Sequence, residues 1–92
     1  MTPDSIFEIP VHIVSRLVDG DLVLLDLESG VYFGLDPVGA SAWTHISAGV
    51  PFSAICLAME EEYEVEADIL EQDIRELLAD LEKLNLIEMR QN

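Results

Sequence analysis

Between Ile9 and Val18 the apolar residues Ile9, Val11, Ile13 and Leu17 recur at even intervals, with His12 and Ser15 among the polar positions. That is the period of a half-buried strand. Two shorter apolar runs follow, Leu22 to Leu27 and Val31 to Leu35. The turn Asp19-Gly20-Asp21 separates the first strand from the second, and Glu28-Ser29-Gly30 separates the second from the third, where Gly30 can supply the positive φ that a three-residue hairpin loop needs. The pattern predicts an antiparallel meander with Leu22 to Leu27 in the middle. Its residues Leu22, Val23, Leu24 and Leu25 do not alternate, so this strand is expected to be covered on both faces. Residues 1 to 8 show no sustained period and are read as a flexible arm, leaving 9 to 92 as one domain.

The spacing then changes to that of helices. Asp36 followed by Pro37 is a helix start, a capping carboxylate before a residue whose fixed φ suits the first turn. Val38, Ala42, Trp43 and Ile46 share one side of this helix, which is expected to stop near Gly49. A second helix from about Phe52 to Glu62 carries Phe52, Ile55, Cys56, Met59 and Tyr63 at helical intervals. A third runs from about Glu66 to Asn85, roughly 30 Å long, with a main stripe of Leu70, Ile74, Leu77, Leu81 and Leu84 flanked by Ile69 and Leu78. Leu86 and Ile87 fold back as a short closing segment. The fold class is therefore α+β, a three-stranded antiparallel β-meander followed by three helices in a winged helix-turn-helix-like order.

The third strand is expected to pair on one side only. Proteins blunt such an edge with charge, proline or a covering element, and Val31-Tyr32-Phe33-Gly34-Leu35 contains neither charge nor proline. Strand-interior Gly34 marks either a bulge or the close approach of another backbone. If the third helix lies near that edge, the two form a groove for an extended peptide that adds as a strand.

Charge narrows the partners. Nineteen acidic residues against four basic ones give a formal net charge of −15, which repels nucleic acid and anionic membranes. A DNA-reading winged helix would have to present the acidic third helix to phosphate. No run reaches the ~18 apolar residues of a membrane span, and Met1 to Glu8 lacks the features of an export signal. With Cys56 as the single cysteine, a cytoplasmic location is expected.

Catalytic chemistry finds no constellation. His12 and His45 have no second ligand at metal spacing, and Cys56 has acidic neighbours that raise a thiol pKa. The run from Glu60 to Asp68 lacks the glycine of a calcium loop. No phosphate loop or nucleophile set is present. The expectation is no enzyme, no metal and no cofactor. The residues alone leave three readings open: a peptide-binding adaptor, a winged-helix regulator, and a structural module that forms a homodimer through its edges.

The stretch from Leu24 to Gly30, then Tyr32-Phe33-Gly34-Leu35-Asp36, Gly39 and Trp43, resembles the PqqD-like family. The resemblance continues through Ile55, Leu57, Tyr63, Val65, Leu70, Asp73, Leu77, Leu78, Leu81 and Leu86-Ile87, and the chain is most similar to stand-alone forms from lasso peptide clusters. Members are RiPP recognition elements, which bind the leader of a ribosomally made precursor peptide. The resemblance implies strand addition along Val31, Tyr32, Phe33, Gly34 and Leu35, with Asp73, Ile74, Leu77 and Leu78 on the helix side. It also implies a modifying partner, whether a radical SAM enzyme, a leader peptidase or a cyclase.

Overall fold

The computed structural model describes residues 1–90. Residues 91 and 92, the end of the expected domain, lie outside the described residues. The elements in chain order are β1 (Phe7–Glu8), β2 (Ile13–Val18), β3 (Asp21–Asp26), β4 (Tyr32–Leu35), α1 (Pro37–Ser47), α2 (Phe52–Glu62), α3 (Ala67–Lys83) and β5 (Glu88–Met89). The strands β2, β3 and β4 form an antiparallel sheet in that order, and β1 pairs with β5 in a separate two-stranded ribbon. The α+β class and the order of meander and helices are as expected. The ribbon is an addition.

The β3–β4 connection follows from its residues. The Asp26 carboxylate accepts the N–H groups of Glu28 and Ser29, while Gly30, at φ 77°, donates its N–H to the Asp26 carbonyl. Asp26 in turn donates its N–H to the Val31 carbonyl at 3.0 Å. Two residues, Gly30 and Val31, therefore oppose one, the glycine-first bulge that ends a three-residue loop. Burial raises the Asp26 carboxyl, and the Glu28 and Ser29 N–H groups more than offset that, so its pKa lies below the usual value.

The strand expected from Ile9 begins instead at Ile13. Ile13 donates its N–H to the Pro10 carbonyl, so residues 10 to 13 turn, and Val11 points into solvent. The middle strand is also covered differently. Leu24 is fully buried beneath the helices, whereas Val23 and Leu25 face away from them and are only half-buried. No described element packs on that outer face.

Residues 1 to 8 are pinned, contrary to the loose arm expected. Phe7 is 2% exposed and sits in the core. The cause is the start of α2, where Pro51 has no side-chain oxygen to cap the free N–H groups. Backbone carbonyls of the arm take that role: Phe52 donates to Ser5 at 2.8 Å and Ser53 to Pro3 at 2.9 Å. Arg75 of α3 adds a bond to the Met1 carbonyl at 2.9 Å while its guanidinium lies 4.7 Å above the Phe52 ring.

In α3 the buried residues are Leu70, Ile74, Leu78 and Leu81. Leu78 thus belongs to the core row, while Leu84 and Ile69 are exposed and Leu77 is half-buried at the margin. The helix ends before the expected Asn85 because Asn85 adopts φ 61°. Asn85 and Leu86 donate to the carbonyls of Glu82 and Leu81, a left-handed stop that returns Leu86 and Ile87 to the core.

Candidate functional site

At the hairpin, register decides what β4 offers. Leu22, Val23, Leu24 and Leu25 stand opposite Leu35, Gly34, Phe33 and Tyr32. The bond from Asp26 N–H to the Val31 carbonyl fixes the alternation of the antiparallel ladder. Phe33 and Leu35 direct their backbone groups to β3, and Tyr32 and Gly34 direct theirs to the other side. Among the described residues no strand pairs there, and no backbone partner meets the Tyr32 or Gly34 groups.

Side chains divide by the same rule. Phe33 and Leu35 point toward the helices and are packed, half-buried, against the core. Tyr32 and Gly34 lie on the outer face, with Tyr32 67% exposed. Val31 precedes the strand and is exposed. Among the described residues a Cβ built on Gly34 would meet no atom within 4 Å, so none of them requires glycine at that position for space.

The strand leads directly into α1. The Asp36 carboxylate accepts the Gly39 N–H at 2.7 Å, and Pro37 occupies the first turn. Gly39 is small for a reason, since a Cβ there would stand 3.2 Å from that carboxylate oxygen and 3.5 Å from Leu35. Helix α1 packs on both β3 and β4, while α3 packs on α2. Of the four α3 positions anticipated on the helix side, Ile74 and Leu78 are 0% exposed and lie within the core. Asp73 is exposed and Leu77 is half-buried beside the same core as Phe33 and Leu35. Of those four, only Asp73 and Leu77 reach the surface of α3.

Polar chemistry elsewhere is structural. Glu62 accepts the Ser41 hydroxyl at 2.7 Å with one oxygen and lies 2.8 Å from His45 Nε2 with the other. Serine and histidine both face the carboxylate and not each other, so the trio ties α1 to the end of α2 and builds no nucleophile relay. The Ser41 hydrogen bond, then that of His45, hold the Glu62 carboxyl below its usual range. Burial, then the nearby Glu71, push the Cys56 thiol up. Among the described residues no group of three or more His, Cys, Asp or Glu is placed to hold a metal ion, and no helix is long and apolar enough to cross a membrane.

Residues 21–87 match the family described as PqqD, coenzyme PQQ synthesis protein D. The chain belongs to the PqqD family. Two solved structures share its fold closely. TbiB1, in complex with the TbiA(beta) leader peptide, is 35% identical over 92% of this chain and 99% of that one, with a TM-score of 0.84. A lasso peptide synthetase B1 complexed with the leader peptide is 28% identical over 89% and 96%, with a TM-score of 0.83. No curated protein matches the chain. In this PqqD-family member, sequence periodicity located β4 as an edge but left open which set of its side chains faces the helices. The bulge at Gly30 and Val31, signalled by the loop composition, decides it.

Proposed function

We infer that this protein binds the leader segment of a ribosomally synthesised precursor peptide and acts as an adaptor in peptide natural-product biosynthesis. The observation that carries the reading is the open backbone edge of β4 in a PqqD-family chain whose two solved relatives hold leader peptides. The leader adds as a further strand beside Val31 to Leu35, bonding to the outward N–H and C=O groups of Tyr32 and Gly34. Leader residues that bond to Tyr32 and Gly34 turn their side chains to the outer face. Those opposite Phe33 and Leu35 turn theirs toward the helices, where Asp73 and Leu77 are the α3 positions in reach of solvent and Ile74 and Leu78 lie in the core beneath them. Backbone bonds supply affinity that is independent of sequence, and the alternate side chains supply choice.

The role is non-catalytic in this reading, and the bound leader is presented to a modifying enzyme, a radical SAM enzyme, leader peptidase or cyclase. Calorimetric titration with leader-bearing precursor peptides, the TbiA(beta) leader held by the 35% identical relative among them, is the test. One-to-one binding that is lost when the leader is removed supports the reading, and no heat of binding at high micromolar peptide contradicts it.

A further inference from the structure

Glycine inside a strand answers to a backbone conformation that other residues avoid, to a bulge, or to the near approach of other atoms. Gly34 meets none of these among the described residues. It is not one of the positive-φ glycines, the β3–β4 register runs past it unbroken, and a Cβ there would meet no atom within 4 Å. The absent side chain therefore leaves a gap on the outer face that this chain does not use. Val23 stands directly across the ladder from the gap, and Val23, Leu25 and Tyr32 are among the residues that line a hollow of about 290 Å³ on that face. Glycine leaves the way from the open edge to Val23 clear.

We propose that Gly34 is a specificity-determining position for the guest strand: the leader residue beside it carries an aromatic side chain, whose ring lies across the glycine onto Val23 and against Tyr32. The inference rests on the leader-binding reading and adds which leader position is selected and by what. On an added strand, the residue beside Gly34 puts its side chain on the same outer face. Neighbouring strands lie about 4.8 Å apart, so Val23 is one strand further on and only a long side chain spans the distance. A side chain at position 34 would stand between the two. The surface to be reached is apolar, and Arg16 follows Val23 in the same row, which disfavours a lysine or arginine of the leader in that place. A cross-strand ring, broad and apolar, is the side chain that covers an edge glycine best.

The test is a double-mutant cycle on the full chain, with the tightest-binding leader peptide of the calorimetric titration as the probe. NMR contacts to the Gly34 amide identify the leader residue beside it, which is then made Phe or Ala. The unaltered chain is expected to bind the Phe leader at least tenfold tighter than the Ala leader. Val23→Ala, which removes the far contact, and Gly34→Val, which fills the gap, are each expected to cut that preference to threefold or less. Leu17→Ala, on the other face of the sheet, is expected to leave it intact. The Ala leader has no ring to place, so its affinity is expected within threefold of the parent's in every variant, which also reports that they fold. Equal affinity of the two leaders for the unaltered chain overturns the proposal while the leader reading stands, as does a preference that Val23→Ala or Gly34→Val leaves whole. In the unaltered complex, contacts between the ring protons and the Val23 methyl groups are expected, and their absence overturns the proposal whether or not the variants fold. No peptide binding at all overturns the leader reading, and this inference with it.

Discussion

Gly34 stands directly opposite Val23 in the β3–β4 ladder, with both residues on the outer face and the Gly34 backbone groups turned to the open edge. Side-chain space and backbone bonding are thereby separated at one residue. Among the described residues its N–H belongs to no ladder, which is the situation in which an edge strand tolerates proline.

Gly34→Pro is expected to fold, with a melting temperature within a few degrees of the parent. It removes one edge donor and sets a ring where an incoming strand must approach. A net hydrogen bond is worth about 0.5–1.5 kcal/mol and the steric conflict adds to that, so leader affinity is expected to fall at least tenfold. Phe33→Pro is the control, because its N–H serves the β3 ladder and its loss is expected to destabilise the sheet itself.

Leu77 and Leu78 are neighbours with opposite expected outcomes. Leu78 is fully buried, so Leu78→Glu loses a core side chain, a change of about 2–5 kcal/mol even for alanine, and buries a carboxylate as well. Unfolding is expected. Leu77→Glu keeps the fold and weakens leader binding at the half-buried margin, as thermal melts and calorimetry on the pair would report.

Phe7 tests the N-terminal segment. Phe7→Ala empties a core position at a cost of about 3–5 kcal/mol, a large part of the ~5–15 kcal/mol that holds a domain together. Urea denaturation is expected to show a lower midpoint. An unchanged midpoint would return residues 1 to 8 to the status of a loose arm.

Glu62 gives the pH dependence. A carboxyl whose folded pKa is lowered contributes stability that is present above its unfolded value and is lost as pH falls through the folded one. Here the Ser41 hydroxyl and then His45 cause the lowering. The stability difference between the parent and Glu62→Gln is therefore expected at neutral pH and to vanish in acid. Since the pair is partly solvent-exposed, the effect is small. A difference that widened on acidification would contradict the assignment.

The sequence was legible where a local rule had one solution. Asp36 with Pro37 marked the start of α1, and Gly30 marked the hairpin loop, because each residue type suits few backbone conformations. It was less legible where partners are distant. Nothing local to Pro3 or Ser5 announces that their carbonyls cap α2. The clue lay elsewhere, in Pro51, which cannot cap a helix with its own side chain. Periodicity found the broad apolar face of α3 but did not rank Leu77 against Leu78, since adjacent residues on a wide face differ in burial only once the neighbouring helices are placed. The uninterrupted run Leu22 to Leu25 suggested a strand covered twice. The helices cover one side, and on the other Val23 and Leu25 stay half-buried among their neighbours on the sheet face.

The most direct measurement is residue-resolved amide exchange of β4 with and without the leader peptide. Phe33 and Leu35 amides, already bonded to β3, are expected to be protected in both states, while Tyr32 and Gly34 amides exchange freely alone and slow by at least tenfold in the complex. Tight leader binding with the Tyr32 and Gly34 amides still exchanging freely would contradict strand addition at this edge.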